Sequence, residues 1–268
     1  MACKPIRIAC VGDSLTRGDG SHERRQQKNL KGRGNFPKYL DSLLNEEKGQ
    51  FIVRNFGHGG TTACNTSDSP FIQTREFRRA VRFRPHLLVL MLGTNDAKDK
   101  NWDVSSRCSR GADSLASGLS QIVGAFREPQ PATLVLEPPP IQRERWGIRK
   151  RLLPLARNAV NDWYNSRAAN TTSRGECAAG GIWLTRSLPA SNDMLPKLFV
   201  ADGVHLNEAG SKAAACAVHH ALVGKCSNAR LGLGKGSTSG TGSESDASAQ
   251  CALELRDRSE CFDGPISA

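Results

Sequence analysis

Short apolar runs of strand length alternate along the chain with longer segments whose apolar residues recur every three or four positions. The strand-like runs are Ile6 to Val11, Phe51 to Phe56, Arg84 to Gly93, Ala132 to Glu137 and Gly180 to Thr185. The central stretch of the third, Leu87-Leu88-Val89-Leu90-Met91-Leu92, is apolar on both faces, the signature of a strand buried in the middle of a parallel sheet. Helical periodicity follows each run. It shows in Tyr39, Leu40, Leu43 and Leu44 of a segment from Phe36 stopped by Gly49, in Phe77 and Val81 between Thr74 and Phe83, and in Leu115, Leu119, Ile122, Val123 and Phe126 between Cys108 and Arg127. Leu152, Leu155, Val160 and Trp163 mark another between Arg151 and Ala169, and Ala213, Ala214, Cys216, Ala217, Val218 and Leu222 mark the last, opened by Glu208. Strands alternating with helices predict the α/β class, a three-layer α/β/α sandwich around a central, mostly five-stranded parallel sheet.

The residues at the carboxyl ends of these strands carry the chemistry. In such sheets ligands bind in the crevice outside the strand ends. The first run ends in Gly12-Asp13-Ser14, the second runs into Gly57-His58-Gly59-Gly60, the third delivers Gly93-Thr94-Asn95-Asp96, and Asp202-Gly203-Val204-His205 directly precedes the last helix. A serine is a weak nucleophile and needs a base for its proton and donors for the oxyanion it creates. His205 is the candidate base. Asp202, three residues earlier, is close enough to fix its tautomer. Asn95 offers an uncharged N–H donor suited to an oxyanion hole, or else a helix cap. His58, near Gly60, is the second candidate for the base.

Taken together the four blocks resemble the GDSL, or SGNH, hydrolase family, whose site residues are a serine, a glycine, an asparagine and a histidine in this order. The resemblance implies a flavodoxin-like fold and a serine esterase with Ser14, Asp202 and His205 as catalytic residues. It also implies an oxyanion hole of Ser14, Gly60 and Asn95, with Gly57 holding the glycine's place if the alignment slips. Ala97-Lys98-Asp99-Lys100-Asn101-Trp102 resembles the sialate O-acetylesterase and carbohydrate-acetylesterase branch, which implies short acyl groups, acetyl on a sugar, as substrate. Asp13 and Trp102 are the expected substrate contacts; Trp102 would stack on a sugar face or belong to the core. The alternatives are a GDSL-type lipase, lysophospholipase or thioesterase, and a non-catalytic carbohydrate or anionic-ligand binding module. Neither a metal nor an organic cofactor is expected.

Composition adjusts this picture in three places. A net charge of +11 raises the possibility of nucleic-acid binding, but the basic residues fall into separate clusters without a recognition helix or aromatic strand motif, so solvated faces or attraction to an anionic substrate are expected instead. The clusters are a polar loop from Asp19 to Asn35, the Arg75-to-Arg84 helix, and Arg143, Arg145, Arg149, Lys150 and Arg151 in a second rim loop with Trp146. Nine cysteines without a Cys-x-x-Cys spacing predict reduced thiols and a cytoplasmic protein, as does a start with no room for a leader. No apolar run is long enough for a transmembrane segment. The segment from Pro189 to Phe199 is apolar enough to be expected to fold back over the site. A shift to Gly and Ser predicts a hydrolase domain over residues 1–226 and a flexible tail over 227–268, while the oligomeric state has no signature.

Overall fold

A computed structural model describes residues 5–20, 34–45, 50–102, 111–127, 130–168, 182–188 and 195–226. The tail over 227–268 and most of the basic loop after the first strand lie outside the described residues. Five parallel strands form one sheet: β1 (Ile6–Gly12), β2 (Phe51–Gly57), β3 (Leu87–Met91), β4 (Ala132–Glu137) and β5 (Ile182–Arg186), in the order β2-β1-β3-β4-β5. The order reverses direction between β1 and β3, and the crevice of a doubly wound sheet opens at such a switch point.

The alternation of side chains along the strands sorts the core into two layers. Ala9, Val11, Leu88, Leu90 and Val135 face α3 (Arg75–Arg82), α5 (Gly111–Gly124) and α6 (Leu153–Ala168). Ile8, Cys10, Val89, Met91, Leu134 and Leu136 face α2 (Phe36–Asn45) and α7 (Glu208–Cys226). Both faces of the sheet are thus covered, which is why β3 and β4 are buried at every position. The short helices α1 (Ser14–Arg17) and α4 (Asp99–Trp102) follow β1 and β3 at the carboxyl edge. Two single 3-10 turns, Phe71–Gln73 and Leu195–Leu198, complete the described elements.

Two expectations change. Leu198 and Phe199, expected over the site, are buried with Leu15, Phe36 and Leu206 in the α2–α7 layer, and Phe199 bridges to Leu206. Their apolar area is satisfied by the core. Cys64, expected as a free thiol, is disulfide-bonded, whereas Cys10 and Cys216 are free and buried. The thiols therefore do not identify a reducing compartment. Among the described residues no helix is long and apolar enough to cross a membrane.

One close approach ties the helical layer to the site. Gly118 of α5 lies so near the backbone of Ala63 that an added Cβ would overlap the Ala63 carbonyl oxygen. Glycine costs a helix about 1 kcal/mol relative to alanine, yet here the neighbour is backbone and cannot swing aside. Gly118→Ala is expected to destabilise the protein by about 1–3 kcal/mol. Urea unfolding of the two proteins checks this; an unchanged or raised midpoint would show that the Ala63 loop yields freely.

Candidate active site

The site is assembled from four chain segments at the carboxyl edge. β1 ends at Gly12, where a side chain would collide with the Met91 carbonyl of β3 and with Thr16. The adjoining turn places Asp13 as the N-cap of α1, its Oδ1 accepting the Leu15 N–H at 2.9 Å. Ser14 is the first residue of α1 and is 8% exposed. Gly18 closes the helix in the left-handed conformation (φ 91°) with its N–H on the Ser14 carbonyl.

The second segment is tied to the first by backbone. His58 N–H donates to the Gly12 carbonyl at 2.9 Å, and the Asn55 amide donates to the Thr16 carbonyl at 2.8 Å while its oxygen accepts the Gly57 N–H. The two candidate glycines differ sharply here. Gly57 is packed against the backbone of Thr16 and Arg17, whereas Gly60 adopts φ +82° and would present a Cβ to open space, with no atom within 4 Å. Space for a ligand exists at Gly60 and not at Gly57. His58 is engaged elsewhere, its Nδ1 2.9 Å from Glu76 Oε2.

The third segment joins the other two. Asn95 is 5% exposed, and its Nδ2 donates to Asp13 Oδ2 at 3.2 Å and to the Thr61 carbonyl at 3.1 Å. Its own carbonyl accepts from Asn101 Nδ2 at 2.9 Å. Next to it the buried Asp96 accepts the Ala63 and Cys64 N–H groups at 3.0 and 2.9 Å. Asn95 and Asp96 together bolt the loop after β2 to the loop after β3. The role of Asp96 was not legible in the sequence, where it is one acidic residue after the asparagine.

The fourth segment carries the candidate base. His205 Nδ1 lies 2.8 Å from Asp202 Oδ2, while Asp202 Oδ1 accepts the backbone N–H groups of Val204 and His205 at 2.8 and 2.9 Å. Burial works against ionisation of Asp202, but the His205 backbone N–H, the His205 ring and the Val204 N–H outweigh it and hold the carboxyl below its ordinary range. Gly20, at the far end of the turn that follows α1, packs on His205 and Leu206, so the Ser14 loop and the His205 loop are in contact.

Three sequence expectations meet a different environment. Asp13, expected at the substrate, is fully buried and serves as the cap of α1 and the acceptor for Asn95. Burial pushes its pKa up to about 7, with the Leu15 N–H and Lys98 opposing and the Asp96 and Asp19 charges adding to it. Trp102 packs beneath Gly111 and lines a shallow depression with Leu155, Asn158 and Asp162 between α5 and α6. It is half-buried at the edge of the core rather than beside His205. Trp146, given no role beyond a rim loop, is the aromatic residue at the site: its ring centroid is 5.2 Å from that of His205.

The comparisons with known proteins bear on the family and the fold. The GDSL-like lipase/acylhydrolase family model matches residues 10–213. An acetylxylan esterase of Xylanibacter ruminicola is 26% identical over 160 residues, covering 55% of this chain but only 31% of the relative, so the chain spans about a third of that protein's length. Among solved structures, a catalytic mutant of the acetylxylan esterase Axe2 of Geobacillus stearothermophilus superposes with a TM-score of 0.57 at 18% identity, covering 81% of this chain and 94% of that one. An aryl esterase of M. smegmatis gives 0.55 at 19% identity with 82% and 99% coverage. The carbohydrate acetylesterase Est24 of Sinorhizobium meliloti gives 0.54 at 17%, again with 82% and 99%.

The raised pKa of Asp13 has a consequence for stability. The folded state holds the Asp13 proton between the ordinary value of 3.8 and about 7, where the unfolded chain has lost it. Its contribution to stability is therefore complete at low pH and lost as pH rises through that window. The stability of wild type minus that of Asp13→Asn is expected to fall between about pH 4 and about pH 7 and to level off above that. Chemical denaturation at several pH values measures it, and a flat difference would mean Asp13 is ionised throughout.

Proposed function

The chain belongs to the GDSL-like lipase/acylhydrolase family, and from that membership we propose that it is a serine esterase working through an acyl-enzyme on Ser14. Ser14 Oγ attacks the ester carbonyl while His205 Nε2 takes its proton; Asp202, on the opposite ring nitrogen, holds the tautomer and stabilises the imidazolium. The observation that carries this reading is the Asp202–His205 pair, held at 2.8 Å with an ionised carboxylate, at the same sheet edge as Ser14, Gly60 and Asn95.

The oxyanion meets the backbone N–H groups of Ser14 and Gly60 and the Asn95 amide. Gly60 fits because open space lies before it. Asn95 already donates both hydrogens, so it serves by sharing one of them, and the 3.2 Å bond to Asp13 is the looser of the two. His205 then returns the proton to the leaving alcohol, and water repeats the sequence to release the acid. The substrate class follows the relatives whose names specify acetylated xylan and carbohydrate: a short acyl group, acetyl, on a sugar hydroxyl.

A series of p-nitrophenyl esters from acetyl to long acyl chains tests this. Wild type is expected to prefer the acetyl ester, and Ser14→Ala to fall to background on every member. Asn95→Ala is expected to lose on the order of a hundredfold in kcat. A Ser14→Ala protein that retains turnover would overturn the serine mechanism, and an Asn95→Ala rate within about threefold of wild type would remove Asn95 from the oxyanion hole.

A further inference from the structure

The loop between β4 and α6 carries a feature that the esterase reading does not use. Its tip is the turn Arg145-Trp146-Gly147-Ile148, closed by the Ile148 N–H on the Arg145 carbonyl at 2.8 Å, with Trp146 at φ +51° and Gly147 at φ +81°. Glycine adopts such values freely, but a tryptophan there is strained. The surroundings hold it. Lys98 bridges to Ile148, the Arg149 N–H bonds the Ala97 carbonyl at 2.9 Å, and Ile148 is buried in the core.

The strain holds an indole over the candidate base. Trp146 is 58% exposed, yet its ring lies 5.2 Å from the His205 ring at an interplanar angle of 52°. A large apolar side chain held open to water costs solvation energy that a bound ligand recovers, while the turn's own contacts hold the backbone strain. The base of the loop is fixed to the same place: the Gln142 N–H donates to the Gly203 carbonyl at 2.6 Å, and Arg143 packs on Gly203, between Asp202 and His205.

Charge distinguishes this rim from the opposite one. Near Gly60, Arg17 is paired with Asp19 and His58 with Glu76. On the Trp146 loop, Glu144 is drawn to Arg149 and to the Lys150 N–H, and Arg149 and Arg151 share Asp99. Arg143 and Arg145 are exposed and have no ion pair among the described residues. An aromatic platform on a loop that also carries two exposed guanidinium groups without an ion pair among the described residues suits a ring with an apolar face and a carboxylate.

We propose that Trp146, Arg143 and Arg145 form a subsite for an acidic saccharide, so that the sugar bearing the ester belongs to a glycan carrying uronic-acid carboxylates. The proposal deepens the esterase reading by naming the leaving group's chemistry, but its test needs no turnover. Isothermal titration of the full chain compares an unacetylated oligosaccharide carrying one uronic acid with its neutral counterpart of equal length. The acidic ligand is expected to bind about fivefold or more tighter at about 20 mM salt, with the advantage fading at about 0.5 M.

The double variant Arg143→Gln/Arg145→Gln is expected to bring the two ligands within about twofold of each other. Trp146→Ala is expected to weaken both by about tenfold while Trp146→Phe keeps most of the affinity, a rescue that simple loop disruption would not give. Equal binding of the two ligands by wild type, or no measurable binding of either, overturns the subsite. A protein that discriminates the ligands but hydrolyses no p-nitrophenyl ester keeps the subsite and loses the esterase reading instead.

Discussion

The Asn95 side chain is the constraint on which the rest of the site depends. Its two donors reach Asp13 at the end of β1 and the Thr61 carbonyl beyond β2, and the backbone carbonyl of the same residue accepts from Asn101 Nδ2 of α4. A buried amide with its hydrogens unpaired would cost several kcal/mol, so the loops after three strands cannot drift independently. Asp96 repeats the logic one residue later by taking the Ala63 and Cys64 N–H groups. Two adjacent polar residues thus convert three separate strand ends into one rigid platform. Replacing both by apolar residues would free the loops even if the sheet survived, because the sheet's own hydrogen bonds stop at Gly12, Gly57 and Met91.

The fold was legible because its strongest signals are local. An apolar run that must be buried on both faces reads the same wherever it lies in the chain, so β3 and β4 were plain, and β4 begins and ends at the expected residues. Helix ends moved by a few residues, as at α6, expected from Arg151 and found from Leu153, because caps depend on tertiary neighbours that periodicity does not contain. The four motif blocks were legible for a related reason: each sits within two or three residues of a strand or helix end. The difference in packing between Gly57 and Gly60 was not legible. It depends on which glycine has another segment's backbone against it.

What escaped the sequence lies in contacts between loops far apart in the chain. Trp102 and Trp146 are both tryptophans next to basic residues, and the motif-bearing neighbours of Trp102 made it the more attractive sugar platform. Packing places the two rings differently. Trp102 is pinned under Gly111 on the α5–α6 side, while Trp146 rides on a turn that Gly203 holds against the His205 loop. The Gly147 that follows Trp146 was the available signal, since a Trp-Gly pair suits a tight turn with an exposed tip. The thiols gave no comparable warning. Cys64 resembles the other scattered cysteines in spacing, yet it is disulfide-bonded.

Asp13 and Asp202 complete the argument, because as residues they are interchangeable and only their surroundings assign them different work. Each lies one to three residues from a candidate catalytic group, and each is hydrogen-bonded by a backbone N–H of its own turn. Asp13 is sealed from water, with Asp96 and Asp19 adding negative charge nearby, and its pKa rises to about 7. Asp202 keeps some exposure, gathers two backbone donors and the imidazole, and its pKa falls. A carboxyl that gives up its charge near neutrality is a poor counter-ion for an imidazolium, and one that keeps its charge is a good one. The environment, more than the order of residues in the chain, therefore separates the aspartate that caps α1 from the aspartate that pairs with the candidate base.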